Sequence, residues 1–196
     1  MSTHTDLRLF VAAEVPDSLK AAVSSILSRF AGSMPSARWA RPDGFHLTLK
    51  FLGATPAARV AAIGEALSAR AEISSPFDLV TGPPGLFGSP NRPRVLWIGL
   101  EGDLDAAERL SSGLEASMEG LGFARENRPF KPHLTLARFD TKRRAVLPPD
   151  LLASAAEEIS GIPMGVGEIV LVQSLLGAGG ARYVPLNRWS LAARNP

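Results

Sequence analysis

The side chains best suited to chemistry stand in two copies of one tetrapeptide. His-Leu-Thr-Leu begins at His46 and again at His133, which is 133 − 46 = 87 residues later in a chain of 196. The chain contains three histidines, and the third, His4, lies near the N-terminus. Imidazole has an unperturbed pKa of about 6.5, so its neutral and protonated forms coexist near pH 7. The two copies therefore offer two groups that can each accept or donate a proton.

The spacing within each copy also places its polar side chains together. Side chains alternate along a β-strand, so His46 and Thr48 share one face, and so do His133 and Thr135. Two such faces that meet form a cleft suited to in-line displacement at phosphorus. One imidazole takes a proton from water, the other protonates the leaving oxygen, and the hydroxyls bind the non-bridging oxygens. We expect both histidines to be catalytic and both threonines to bind phosphate, without a metal.

A structural role is the alternative for each of these residues. A single histidine in a strand is more often a buried or surface group than a catalyst. Threonine is common in strands because its branched side chain packs well there. The recurrence of both residue types in one pattern favours a functional role for the set.

Strand and helix patterns follow the same order on both sides of the tetrapeptide repeat. The first half predicts a strand at 7–13, a helix at 16–30, a strand at 45–51, a helix at 56–70, a loop at 82–93 and strands at 77–80 and 94–100. The second half predicts a helix at 103–121, a strand at 133–139, a helix at 150–158 and strands at 168–175, 181–184 and 189–192. The matching order indicates an internal duplication.

The duplication predicts the fold class. We expect an α+β protein with two pseudo-symmetric lobes, each an antiparallel sheet with helices on its outer face, around a central cleft. One domain would span residues 1–196, with approximate lobes 1–101 and 102–196 that each contain one His-x-Thr motif.

Composition limits the class of protein and its surroundings. The chain is 45% hydrophobic and 20% charged, which is typical of a globular protein and argues against disorder. It has no cysteine, which excludes disulfides and thiolate chemistry and fits the reducing cytoplasm. No secretory signal or membrane-spanning stretch is present. We expect a cytoplasmic monomer without a membrane partner. Net charge is only +2, so a nucleic-acid partner must be argued from where the basic residues lie.

Longer segments around the two motifs carry a resemblance to a known family. Phe-His-Leu-Thr-Leu-Lys-Phe-Leu-Gly at 45–53 and Lys-Pro-His-Leu-Thr-Leu-Ala-Arg at 131–138 resemble the paired motifs of the two-histidine phosphoesterase superfamily. Within it they are most similar to the LigT-like RNA 2',3'-cyclic phosphodiesterases, also called 2'-5' RNA ligases. The resemblance extends over nearly the whole chain, through residues 8–12, Pro16, Trp39, 95–97, Tyr183 and 189–191.

The resemblance implies a reaction and a further site residue. The reaction is hydrolysis of a terminal 2',3'-cyclic phosphate to a 2'-phosphomonoester, without a cofactor, together with reversible 2'-5' RNA ligation. Arg138 would bind phosphate, but it lies five residues after His133, an odd offset that strict alternation sends to the opposite face. Either the strand bulges near Ala137 or it ends there. We assign His46 as general acid and His133 as general base, although pseudo-symmetry supports the swapped roles almost equally.

Basic and aromatic residues near the motifs are candidate RNA contacts. The basic residues around the second motif are Arg125, Arg128, Lys131, Arg138, Lys142, Arg143 and Arg144. Among them Lys131 and Arg128 could hold the RNA backbone, whereas a solvated loop is the favoured interpretation of 143–144. The aromatic candidates for base stacking are Trp39, Phe51 and Phe87, for which packing in the core is the favoured interpretation. Lys50 is placed on the His46 face, as a solvated residue or a phosphate contact.

Other functions stay open at this point. The enzyme could instead act on a small nucleotide or ADP-ribose cyclic phosphate, or the chain could be a non-catalytic RNA-binding relative. A metallohydrolase is disfavoured because no carboxylates stand at ligand spacing beside either histidine.

Overall fold

The structure is a computed structural model that describes residues 6–35, 37–140, 147–148, 150–177 and 180–192. The strands are β1 Asp6–Glu14, β2 Ala37–Trp39, β3 His46–Pro56, β4 Phe77–Ser89, β5 Arg92–Gly102, β6 His133–Phe139, β7 Pro163–Val166, β8 Glu168–Gly177 and β9 Gly180–Ser190. The helices are α1 Asp17–Phe30, α2 Val60–Glu72, α3 Leu104–Gly120 and α4 Leu151–Ile159. No helix within these ranges is long and apolar enough to cross a membrane.

The strands form one antiparallel sheet with the two motifs at its centre. Its order is β7-β4-β5-β6-β3-β1-β8-β9, and β2 pairs with β6 beside this path. β3 and β6, which carry the two motifs, are joined by a single registered pair, Leu47 with Leu134. The α+β class with antiparallel strands is confirmed. The two predicted sheets are therefore two strand groups, β3-β1-β8-β9 and β6-β5-β4-β7, that meet at this junction.

The two strand groups exchange strands between the sequence halves 1–101 and 102–196. β4 and β5, mostly from the first half, pair with β7 and β6 of the second, and β8 pairs with β1. β4 joins β5 because the two form one hairpin, and a short connection costs little loop-closure entropy. The sequence halves are thus not the units within which strands pair. That residues 1–196 form one domain stays a prediction.

The leucines of the two motifs anchor the core. Leu47, Leu49, Leu134 and Leu136 are each no more than 3% exposed. The helices cover this face with apolar side chains at helical spacing, for example Leu19, Val23, Ile26 and Phe30 of α1. Full burial of one such side chain contributes about 1.5–3 kcal/mol. Burying the leucines forces the polar residues of each motif to the opposite face, which we call the cleft face.

A β-bulge follows each motif at the equivalent position. In β3 the register passes from Ala12 opposite Thr48 to Val11 opposite Lys50, so one residue of β3 is extra. In β6 it passes from Trp97 opposite Thr135 to Leu96 opposite Ala137. The extra residue reverses the alternation beyond it. The bulge is therefore the correct explanation for the odd offset of Arg138.

The bulge in β3 shows that the predicted position of Lys50 is wrong. Lys50 points to the core, where it is 4% exposed. Its Nζ donates to Glu115 Oε2 at 2.5 Å and to the Ala124 carbonyl at 2.7 Å. Glu115 Oε2 also accepts the backbone N–H of Glu126 at 3.2 Å. A buried ion pair therefore ties α3 and the segment before the second motif to β3.

Element boundaries differ from the predictions in both hairpins, β4–β5 and β8–β9. The predicted loop at 82–93 is mostly strand, since β4 continues to Ser89 and β5 begins at Arg92. A register shift between Thr81 and Pro84 marks a bulge, a position at which a strand tolerates proline. The predicted strands at 181–184 and 189–192 are one strand, β9. The short strands β2 and β7 were not predicted.

The buried ion pair gives a stability prediction. Lys50→Met leaves Glu115 buried without its cation, so we expect the free energy of unfolding to fall by about 3–5 kcal/mol in a urea titration. Replacing both residues, as Lys50→Met with Glu115→Leu, should recover most of the loss. Lys20→Met, which removes an exposed pair with Asp17, should cause no measurable change. An unchanged free energy for Lys50→Met would contradict the buried pair.

Candidate active site

The two His-x-Thr motifs meet on the cleft face at the junction of β3 and β6. Leu47 and Leu134 are opposite each other in register, so the polar residues on either side of each leucine occupy neighbouring positions. Opposite Cβ atoms in antiparallel strands lie about 4.5–5.5 Å apart. The four side chains brought together are all half-buried: His46, Thr48, His133 and Thr135.

A hydrogen bond to a backbone carbonyl fixes the tautomer of each histidine. His46 Nδ1 lies 2.7 Å from the carbonyl oxygen of Gly44, and His133 Nδ1 lies 2.6 Å from that of Lys131. A carbonyl can only accept, so each Nδ1 carries a proton and donates it. Each Nε2 is then the ring nitrogen that can take up or release a proton at a substrate. In both motifs the accepting carbonyl lies two residues before the histidine.

Aromatic rings enclose His46. The ring centroid of Phe10 lies 4.6 Å from that of the imidazole, and Tyr183 meets it edge-on at 4.9 Å. Tyr183 reaches this position only because residue 44 is glycine. A Cβ there would come within 2.9 Å of the Tyr183 ring. The rings exclude water from one side of His46.

His133 has aromatic neighbours of its own. Phe87 meets it edge-on at 5.0 Å, and Trp97 lies at 6.2 Å. Trp97 packs over Gly85, where a Cβ would fall 2.3 Å from the indole. Each catalytic candidate therefore stands against aromatic rings from neighbouring strands of its own group.

Burial lowers the pKa of both histidines. Desolvation takes the pKa of His46 from 6.5 to about 4, opposed by the hydrogen bond to Gly44 and assisted by the charges of Arg138 and His133. Desolvation also lowers the pKa of His133, opposed by the hydrogen bond to Lys131 and assisted by Arg138. Both imidazoles are thus mostly neutral at pH 7. A bound anion would oppose these effects and favour protonation.

The bulges bring one more residue from each strand to the cleft face. Arg138 is exposed there, and its charge reaches both imidazoles. Phe51 occupies the equivalent position in β3 and is 59% exposed. The interpretation of Phe51 as a core residue is therefore wrong, because the bulge turns it outward. Phe87 is not in the core either, but beside His133. Trp39 packs against the core, as favoured.

Of the other predicted RNA contacts, Lys131 is exposed and Arg128 is paired with a carboxylate. Lys131 has an exposed side chain and contributes its carbonyl to His133. Arg128 Nη2 pairs with Glu126 Oε2 at 2.8 Å, which neutralises much of its charge. The remaining basic residues of the cluster, Lys142, Arg143 and Arg144, lie outside the described residues, as does His4.

Sequence reasoning missed the aromatic residues of the cleft. Phe10, Trp97 and Tyr183 received no role in the site, yet each contacts a histidine. One signal was available, since Phe10 and Trp97 are separated by the same 87 residues as the two motifs. Within the described ranges, no three histidine or carboxylate side chains cluster as metal ligands.

The pKa values can be measured directly. In an NMR titration of the imidazole ring protons we expect a midpoint of about 4 for His46 and one below the ordinary 6.5 for His133. Arg138→Met should raise both midpoints, because it removes a positive charge that disfavours each imidazolium. Arg109→Met on the outer helix α3 should leave them unchanged. A His46 midpoint at or above 6.5 would contradict its burial.

Comparison with known proteins shows which family and which relatives the chain is similar to. Residues 13–97 and 98–183 each match the family model described as LigT like Phosphoesterase. An RNA 2',3'-cyclic phosphodiesterase of Archaeoglobus fulgidus is 36% identical over 183 residues, 92% of this chain and 98% of the relative. One of Geobacillus stearothermophilus is 34% identical over 167 residues, 84% of this chain but only 51%, about half, of that relative.

A solved structure extends the similarity to the fold. The crystal structure of a Thermus thermophilus protein has a TM-score of 0.80 and 28% sequence identity, and the alignment covers 96% of this chain and 100% of the other. The two matches to one family model support the internal duplication. Since these matches span both repeats and most of the chain, the protein belongs to the LigT-like phosphoesterase family.

Proposed function

We propose that this protein hydrolyses RNA ends that carry a 2',3'-cyclic phosphate to 2'-phosphomonoesters, with His46 and His133 as the acid–base pair. The observation that carries the proposal is the junction of β3 and β6. It places both motifs side by side on one face, each with its Nδ1 held by a carbonyl. The relatives named RNA 2',3'-cyclic phosphodiesterase support the substrate.

The reaction is an in-line displacement at phosphorus with one proton transfer at each end. One neutral imidazole takes a proton from water, and the water oxygen bonds to phosphorus. The bond from phosphorus to O3' breaks, and O3' takes a proton from the other imidazole. Each such proton transfer is worth about 10²–10⁴ in rate. The residues proposed to bind the non-bridging oxygens, where negative charge develops, are Thr48, Thr135 and Arg138.

The lowered pKa values set a condition for the general acid. Since the pKa of His46 and that of His133 both lie below 7, the acid must gain its proton when the substrate binds. The negative charge of the bound phosphate raises the imidazole pKa and so favours this protonation. We assign His46 as the acid and His133 as the base. Substitution of sulfur at the leaving group distinguishes this assignment from the swapped one.

Phe51 completes the proposed substrate site. Its exposed ring stands on the cleft face beyond Thr48, next to Phe10 at a centroid distance of 6.1 Å. An exposed aromatic ring beside a phosphate site is suited to stacking on a nucleotide base. The phosphate would thus lie between the two motifs, with the terminal base on the β3 side. Joining of 2'-5' RNA bonds would use the same geometry in reverse. Cytoplasmic location and a monomeric state stay predictions of the sequence.

Removing either histidine tests the chemistry. His46→Ala and His133→Ala should each lower kcat on an oligonucleotide with a 2',3'-cyclic end by about 10²–10⁴, while Lys20→Ala should not. Wild-type activity should persist in excess EDTA. A substrate with sulfur in place of the bridging O3' has a leaving group that needs no proton. On this substrate His46→Ala should recover more activity than His133→Ala. Activity lost in EDTA, or retained without either histidine, would contradict the proposal.

Product identity tests the direction of ring opening. We expect the cyclic-ended oligonucleotide to give only the 2'-phosphate, because the proposed acid protonates O3'. Phosphorus NMR distinguishes the 2'- and 3'-phosphates. A 3'-phosphate product would make O2' the leaving group and contradict the proposed geometry. A strong preference for a small cyclic phosphate over the oligonucleotide would favour a small-molecule substrate.

A further inference from the structure

An arginine outside both motifs stands next to Arg138. In the pairing of β2 with β6, Arg38 is directly opposite Arg138, and opposite residues of antiparallel strands share a face. The flanking residues Ala37 and Trp39 both pack against the core. Arg38 therefore points to the cleft face, where it is exposed like Arg138.

The two guanidinium groups form an uncompensated positive charge. Like charges directly opposite each other destabilise a strand pair. Among the residues that the structure describes, no carboxylate lies within 4.0 Å of either group. Arg188, also on the sheet, differs because it pairs with both Glu14 and Glu168 at 2.7 Å. The pair of unneutralised arginines is suited to binding anions.

The equivalent positions in the other repeat do not form such a pair. Phe51 stands at the position that corresponds to Arg138. The counterpart of Arg38 is Arg125, which lies 3.5 Å from a carboxylate oxygen of Glu119. The cleft thus has two unpaired arginines on β6 and β2 and an exposed phenylalanine, Phe51, at the equivalent position of β3. A ligand with two phosphates and a base could contact the arginines through its phosphates and Phe51 through its base.

We propose that Arg38 binds the phosphate attached to O5' of the terminal nucleotide, while Arg138 binds the cyclic phosphate of the same nucleotide. Neighbouring strands lie about 4.7–4.9 Å apart, and two long side chains at this spacing can hold phosphates at the two ends of one nucleotide. The inference rests on the proposed function and deepens it. It makes Arg38 the residue that selects RNA ends over nucleosides without a 5'-phosphate.

Three substrates with the same terminal base isolate this contact. They are a nucleoside 2',3'-cyclic phosphate, its 5'-phosphorylated form, and a dinucleotide with a 2',3'-cyclic end. We expect wild-type kcat/KM to be about tenfold or more higher for the second and third than for the first. Arg38→Gln should remove most of this preference. It should also reduce the slope of log kcat/KM against log salt for the dinucleotide by about 0.7, the loss of one phosphate contact.

Matched variants separate this role from a structural one. Arg38→Lys, which keeps the charge, should retain part of the preference. Arg109→Gln removes the same charge from helix α3 on the core side of the sheet and should leave the preference intact. An equal loss by Arg38→Gln on all three substrates, or a wild type without preference, would overturn the inference but not the hydrolysis. Failure of wild type on all three would instead overturn the proposed function.

Discussion

The contact between β3 and β6 is the constraint on which the site depends. One registered pair, Leu47 with Leu134, joins the two strand groups. Both leucines are at most 1% exposed, so neither strand can rotate without losing core burial. Because strand side chains alternate, the same burial holds both histidines and both threonines on the opposite face. The energy that positions the polar groups is therefore hydrophobic and comes from the other side of the sheet.

The bulge and the carbonyl that holds the histidine occur in both repeats, and the differences between the repeats make the two sides of the cleft unlike. At the first position after the bulge, Lys50 in one copy corresponds to Ala137 in the other. Lys50 holds the segment before the second motif in place through a buried ion pair and a hydrogen bond. The segment before the first motif is β2, which is held in place by backbone pairing with β6.

The aromatic rings around the histidines lower the imidazole pKa, whereas a bound phosphate raises it. Phe10 and Tyr183 exclude water from His46, and desolvation lowers its pKa to about 4. An anion in the cleft restores the tendency to hold a proton. The same low-dielectric surroundings strengthen hydrogen bonds to developing charge. Burial thus favours neutral imidazoles, and in the proposed mechanism the charge of the substrate favours protonation of the acid.

Local pattern alone was enough to predict the face shared by the candidate catalytic side chains, the α+β class and most helices. Strand alternation and helical periodicity depend on near neighbours in the chain, so they can be read directly from His46 to Leu49 and its repeat. The orientations of Lys50, Phe51 and Arg138 were decided by bulges, which depend on the register with β1 and β5. The pairing of β4 with β7, of β5 with β6 and of β8 with β1, and the placement of Arg38 opposite Arg138, join strands that are far apart in the chain. Such pairing is set by the packing of the whole sheet, and no short-range pattern encodes it.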